Sequence, residues 1–376
     1  MRTMYHQLLV LGALASLCSA QNLTSVLAAN NSTLSTLTSL VAARPALLAT
    51  LGSAKNITIL APTNDAFSKL NTTGLSDADI TAVLTYHVLS GTYPSSAFTN
   101  NSQFLPSLLV SSPYTSLSGG QVVDAKLADS KATLTTGLAQ DSTVTTADVK
   151  FDGGVIHVID TVLTIPASVS TTALDLNLTS LYGALNATSL ASPVDSLTNL
   201  TIFAPNNQAF ANIANLVSTL STEQLVSILS YHVVNGTVGY STDLKNGSSL
   251  ATLGGGDVHV TLENGNVYVN SAKVLIPNIL VANGVVHVID NVLNPNNTSA
   301  NPSATSAAYS GASTATDGAV PFTSGVSATT TVATAAATTT SGASASSTHS
   351  TGGAAIQTGA MGVAALFAAG ALMVDL

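Results

Sequence analysis

The chain has 376 residues, of which only 7 % are charged; nine basic and 18 acidic residues give a net charge of −9, and there is no tryptophan and one cysteine. The absence of any basic cluster excludes nucleic acid and anionic lipid head groups as electrostatic partners. A single cysteine excludes a disulfide framework, so each folded domain has to be stable by core burial alone.

At the N-terminus, Arg2 and His6 precede an apolar run (8–17) and the small residues Ser19 and Ala20, the layout of a secretory signal peptide covering 1–20 and cut before Gln21. The run is too short for a bilayer core of about 30 Å. Cys18 lies inside the signal peptide, so the mature chain is expected to contain no cysteine, and Leu17 stands where a lipoprotein site wants a small residue.

Beyond residue 20 the chain is duplicated. TILAPTNDAF (58–67) returns as TIFAPNNQAF (201–210), 143 positions later; LTYHVLSGT (84–92) returns as LSYHVVNGT (229–237), and VIHVIDTVL (155–163) as VVHVIDNVL (285–293). Three blocks recur in the same order, at a period that suits a whole domain rather than a solenoid unit.

Each copy opens on Leu and Ala at helical spacing, as in Leu34, Leu37, Leu40 and Val41. A short apolar strand follows (57–60 and 200–203), ended by Ala-Pro at Pro62 and Pro205. Thr63-Asn64 and Asn206-Asn207 then offer helix N-caps. Ser76 to Asp79 and Ser221 to Gln224 read as capping boxes. Ile80, Val83, Leu84 and His87 follow at i, i+3, i+4 and i+7, a spacing that Leu225, Ile228, Leu229 and His232 repeat, so both histidines end an apolar helix face. Gly91 and Gly236 come where the chain leaves the helix. The rest of each copy alternates as strands do, with turns at 263–266, at Asn283-Gly284 and at Asp152-Gly153-Gly154. Helices first and strands afterwards predict an α+β module with a largely antiparallel sheet.

The first copy is longer between its histidine landmarks, 70 positions from His87 to His157 against 55 from His232 to His287. The extra loop, around 100–118, is where the two copies are expected to differ in partner. The linker near Ile165-Pro166 is short and is expected to restrict the orientation of the pair.

After the second copy, residues 296–352 are Ser, Thr, Ala and Gly with few large apolar side chains, a composition that suits an O-glycosylated stalk. Residues 353–376 end in an apolar tail preceded by small residues and a spacer, the pattern of a GPI-attachment signal that is removed, with Gly352 the expected attachment point. Asn-x-Ser/Thr acceptors stand at Asn22, Asn30, Asn31, Asn56, Asn71, Asn100, Asn177, Asn186, Asn199, Asn235, Asn246, Asn296 and Asn297. Glycans and hydroxyls are expected to keep this charge-poor surface hydrated.

The blocks T-I-[LF]-A-P-[TN]-N-x-A-F and V-[IV]-H-V-I-D-x-V-L, with a Tyr-His between them, closely resemble the fasciclin-like domain family. The resemblance covers 21–165 and 170–295. It implies two tandem fasciclin-like domains, each a mainly antiparallel β-sheet wedge packed with α-helices, with no enzyme activity, no cofactor and a role in adhesion at the cell surface or in the matrix. In animal members the Tyr-His region is proposed as an integrin contact, which maps here to Tyr86, His87, Tyr231 and His232; an integrin partner for this chain does not follow. Stalk, tail and glycan load also resemble GPI-linked fungal and plant members, which implies a wall-facing protein on the outer face of the plasma membrane.

The residues themselves favour structural roles. Two histidines per domain are too few for a zinc site, and His157 and His287 sit in Val/Ile strands where a backbone-bonded core histidine is expected. Tyr86 and Tyr231 read as packing residues with a bonded hydroxyl. A glycan-remodelling enzyme needs two carboxylates across a sugar. The only glutamates, Glu223 and Glu263, fall at a helix start and a turn, Asp65 is replaced by Gln208 in the second copy, and Asp160 and Asp290 follow buried strands. No catalytic, cofactor-binding or metal residues are expected. The expected partners are surface or matrix proteins, wall polysaccharide or a second copy, with the membrane reached through lipid. Polysaccharide binding stays open, as does a lumenal vacuolar-membrane protein acting in membrane fusion.

Overall fold

Asn22 accepts the Ser25 N–H at 2.8 Å, which caps α1 (Leu23–Ala29). The structure is a computed structural model that describes residues 21–70, 74–303, 307–315 and 318–328. The expected signal peptide, Asn71, Gly352 and the attachment signal lie outside the described residues. Next come α2 (Asn31–Ala42) and α3 (Pro45–Ser53), with Leu34, Leu37 and Val41 buried as their spacing predicts. β1 (Ile57–Pro62) is buried along its length, and Thr63 caps α4 (Asn64–Ser68). Ser76 and Asp79 form the complete capping box of α5 (Asp77–Tyr86). β2 (Val88–Ser90), β3 (Gln103–Pro106), β4 (Val122–Ala128), β5 (Lys131–Thr135), β6 (Asp141–Phe151) and β7 (Gly154–Ile159) complete the first domain.

The second domain repeats the plan with α6 (Val169–Asp175), α7 (Thr179–Ala187), α8 (Ala191–Ser196), β8 (Leu200–Pro205), α9 (Asn207–Ala211), α10 (Ala214–Val217) and α11 (Thr222–Tyr231). Ser221 and Gln224 box the start of α11. β9 (Val233–Val234), β10 (Ser249–Ala251), β11 (Asp257–Glu263), β12 (Asn266–Val269), β13 (Ala272–Val281) and β14 (Gly284–Ile289) follow.

Both domains contain a seven-stranded sheet of the same topology, β2-β1-β7-β6-β5-β4-β3 in one and β9-β8-β14-β13-β12-β11-β10 in the other. The sheets are largely antiparallel, as expected. In each, the strand of the first repeated block pairs in parallel with the strand of the last, Ile57 opposite Gly154 and Leu200 opposite Gly284. β1, β8 and β14 are buried throughout, the pattern of strands covered on both faces. The glycines are required by close approach: a Cβ on Gly154 or Gly284 would stand 1.9 Å from the carbonyl oxygen of Ile57 or Leu200.

The stalk expected from Asn296 onward is corrected over its first part. Ala307, Tyr309, Ala312 and Phe322 pack against the core of the second domain. The Tyr309 hydroxyl donates to Leu293 O at 2.9 Å, and Asn215 binds both Gly311 O and the Ser313 N–H. Phe322 meets Phe210 edge-on at 6.1 Å between ring centroids, and its carbonyl oxygen lies 2.0 Å from where a Cβ on Gly183 would be. A Ser/Thr/Ala/Gly segment thus gains enough burial to order from a few aromatic anchors. Phe322→Ala is expected to lower the stability of the second domain by about 2 kcal/mol and leave the first unchanged, as read from their separate urea transitions.

Candidate functional site

The Tyr-His pair ends the capped helix in both domains, and the packing turns it inward. Tyr86 and Tyr231 are 0 % exposed, His87 and His232 2 %. The Tyr86 hydroxyl donates to Val122 O at 2.9 Å and that of Tyr231 to Asp257 O at 2.7 Å, which ties α5 to β4 and α11 to β11. His87 Nδ1–H donates to Val83 O at 2.6 Å, and its Nε2 accepts the Leu163 N–H at 2.9 Å. His232 repeats this with Ile228 O at 2.8 Å and the Leu293 N–H at 2.8 Å. Both rings are thereby fixed as the neutral Nδ1–H tautomer, and burial pushes each pKa down to about 4. The contact expected through Tyr86, His87, Tyr231 and His232 is therefore not on the folded surface. The two histidines clamp the helix end to the segment after the last strand, and the two tyrosines clamp it to β4 and β11.

The second histidine of each domain holds a bulge. His157 Nε2–H donates to Tyr93 O and His287 Nε2–H to Gly239 O, each at 2.8 Å, while Nδ1 accepts the N–H of Asp148 or Asn278. Those residues have φ of 60° and 62° and sit where β6 and β13 shift register. Asp148 accepts from the Ser95 N–H and hydroxyl, whereas Asn278 Oδ1 accepts the Ser241 N–H and its Nδ2 donates to Ser241 Oγ. Burial also takes His287 down to about 4. Nothing in the sequence reading singled out Ser95, Asp148, Ser241 or Asn278. The one common signal, for Asp148 and Asn278, is a polar side chain nine positions before the strand histidine in both copies.

The paired acids are structural too. Asp160 accepts the Thr143 N–H at 2.9 Å and Asp290 the Lys273 N–H at 2.8 Å, locking the end of β7 to β6 and of β14 to β13. Glu223 and Glu263 are exposed at a helix start and a turn. Three surface clefts of about 440, 580 and 470 Å³ hold a single carboxylate, Asp77, among their lining residues. Inverting or retaining sugar hydrolysis needs two facing carboxyls, which these clefts do not supply. Among the described residues no group of three metal-ligating side chains converges.

The longest departure between the domains builds their junction. Instead of standing free to meet a partner, the extra loop of the first domain receives the β13–β14 turn of the second. Ser116 N–H and the Thr115 hydroxyl both donate to Ala282 O at 3.0 Å, and the buried Gln121 carboxamide donates to Val281 O at 3.1 Å. Ser118 pairs with Asn199. Beside them Phe104 stacks on Tyr240 with ring centroids 3.8 Å apart. The two domains meet through fixed hydrogen bonds as well as through the short linker. Of the glycan acceptors, Asn22, Asn31, Asn56, Asn100, Asn177, Asn186, Asn235, Asn246, Asn296 and Asn297 are exposed, whereas Asn30 and Asn199 are half-buried.

This duplicated wedge is a known module: the Fasciclin domain family model matches residues 32–166 and 176–295, and the chain belongs to that family. A fasciclin-like arabinogalactan protein from Arthroderma benhamiae is 38% identical over 254 residues, 65% of this chain and 60% of that protein. The fasciclin-like arabinogalactan protein elcF of Phaeosphaeria nodorum is 30% identical over 74% of this chain and 90% of its own length. A solved FAS1 domain pair from the insect cell adhesion molecule Fasciclin I aligns with 70% of this chain and 98% of that one, at 19% identity and a TM-score of 0.35.

Proposed function

We propose that this protein acts by binding rather than catalysis, as a glycosylated adhesion or organising protein of the cell surface or wall, held on the outer face of the plasma membrane by a GPI anchor at or near Gly352. The observation that carries this reading is the use of the repeated chemistry-bearing side chains: His87, His157, His232, His287, Asp160 and Asp290 are all committed to backbone hydrogen bonds within the fold. The fasciclin-like arabinogalactan relatives support a surface or wall setting. Many weak sites on one membrane give avidity without a single tight interface.

Beads coated with residues 21–328, the glycosylated folded body with its C-terminal strap, test the reading. Clumping of coated beads with one another supports homotypic adhesion, and capture only by wall polysaccharide supports a wall-binding role. Folded protein that clumps in neither arm sinks direct adhesion. In the same assay Tyr86→Phe and Tyr231→Phe should each cost about 1–2 kcal/mol of stability and leave bead capture unchanged. Lost capture by a folded variant would restore the Tyr-His contact.

A further inference from the structure

Asn199-Leu200-Thr201 and Asn56-Ile57-Thr58 are twin glycan acceptors, each placed just before a buried strand with the asparagine in left-handed backbone, φ 54° and 57°. Their side chains have different surroundings. Asn56 is exposed, and its Oδ1 accepts the Thr92 N–H of its own domain at 2.9 Å. Asn199 Oδ1 accepts the Ser118 N–H of the other domain at 2.8 Å, and its Nδ2 donates to Ser118 Oγ at 2.7 Å. Both bonds run to one residue, so the hydrogen that Nδ2 donates is the one on the same side of the amide as Oδ1.

An N-linked sugar replaces one hydrogen of Nδ2 and makes the amide secondary. Secondary amides hold their substituent trans to the preceding carbon by about 2.5 kcal/mol, which puts the first sugar carbon on the Oδ1 side. That is the position of the hydrogen Asn199 gives to Ser118. We infer that an N-linked glycan on Asn199 and the docked domain pair exclude one another, so this acceptor decides whether the two domains form one body or two bodies on a short linker.

The decision is made once. Thr201, the hydroxyl of the acceptor triplet, is fully buried, donating to Thr237 O at 2.8 Å and accepting the Gly239 N–H at 2.7 Å. Sugar transfer therefore has to precede folding of the second domain, and the folded chain keeps whichever state it received.

The test uses the full secreted protein, fractionated by glycoform, with occupancy at each acceptor read by mass spectrometry and size by small-angle X-ray scattering. Molecules bare at Asn199 are expected to show docked dimensions whether or not Asn56 carries a glycan. Molecules with sugar at Asn199 are expected to be larger by a few ångström in radius of gyration, and to stay so after trimming to one N-acetylglucosamine. Asn199→Asp removes the acceptor yet still accepts from Ser118, so it should dock. Where every secreted molecule is bare, Asn199→Cys coupled under mild urea to an iodoacetamide derivative of N-acetylglucosamine supplies the sugar and should become extended. Docked dimensions with sugar at position 199, natural or coupled, or an extended Asn199→Asp, overturn the inference.

Discussion

Gly284→Ala should abolish the cooperative melting of the second domain while the first still unfolds as a unit. Its Cβ would lie 1.9 Å from Leu200 O and within 3 Å of the Leu200 N and C atoms, all of them backbone. Backbone has no rotamer to yield. β8 is also pinned on its far side by β9, so relief means breaking the parallel ladder from Leu200 to Pro205. The cost is expected to be about 4 kcal/mol or more, against a total domain stability of roughly 5–15 kcal/mol. Gly154→Ala should do the same to the first domain through Ile57. Calorimetry of the two variants assigns each transition to a domain; an unchanged second transition in Gly284→Ala would refute the argument.

Acidification should weaken the fold well above the pH at which most carboxylates titrate. Unfolded, an imidazole titrates near 6.5; buried in this fold, His87, His232 and His287 are held at about 4. Between those values the unfolded chain binds more protons. The stability from each neutral ring is thus complete above about pH 6.5, falls as the pH drops, and is lost by about pH 4, amounting to about 3 kcal/mol per histidine. Burial raises Asp124 and Asp290, which work in the opposite direction over part of that range. Urea midpoints should therefore decline steadily from pH 7 to pH 4. A flat profile over that window would mean that the rings are not held neutral by the contacts described.

The duplication made the elements legible. Two copies of Ser-x-x-Asp/Gln ahead of an apolar helix, and two of Val-x-His-Val-Ile-Asp, identified both capping boxes and the buried histidine strands, because these depend on neighbours a few residues apart. Which strands run parallel was not legible, since β1 meets β7 across nearly 100 positions and only the pairing itself distinguishes it. The loop around 100–118 showed its extra length but not its destination, which depends on the shape of the other domain. Composition alone reads 296–352 as a stalk, because Ser, Thr, Ala and Gly offer little surface to bury. It could not reveal that Tyr309 and Phe322 find matching hollows. Asn56 and Asn199 are locally the same triplet and are separated only by what stands across the junction.

That junction is a heterologous contact, with a socket on one module and a plug on the other. Such a contact, copied along a string of identical modules, would grow into an open filament. Here the second module lacks the loop that forms the socket, its chain between β10 and β11 (252–256) being shorter than the one between β3 and β4 (107–121), and the socket of the first is already filled by the 281–283 turn. The assembly rule written into the fold therefore terminates at two. Larger structures made from docked chains have to be built from closed pairs joined by other surfaces, much as bricks are laid, rather than by extending the pairing that joins the halves.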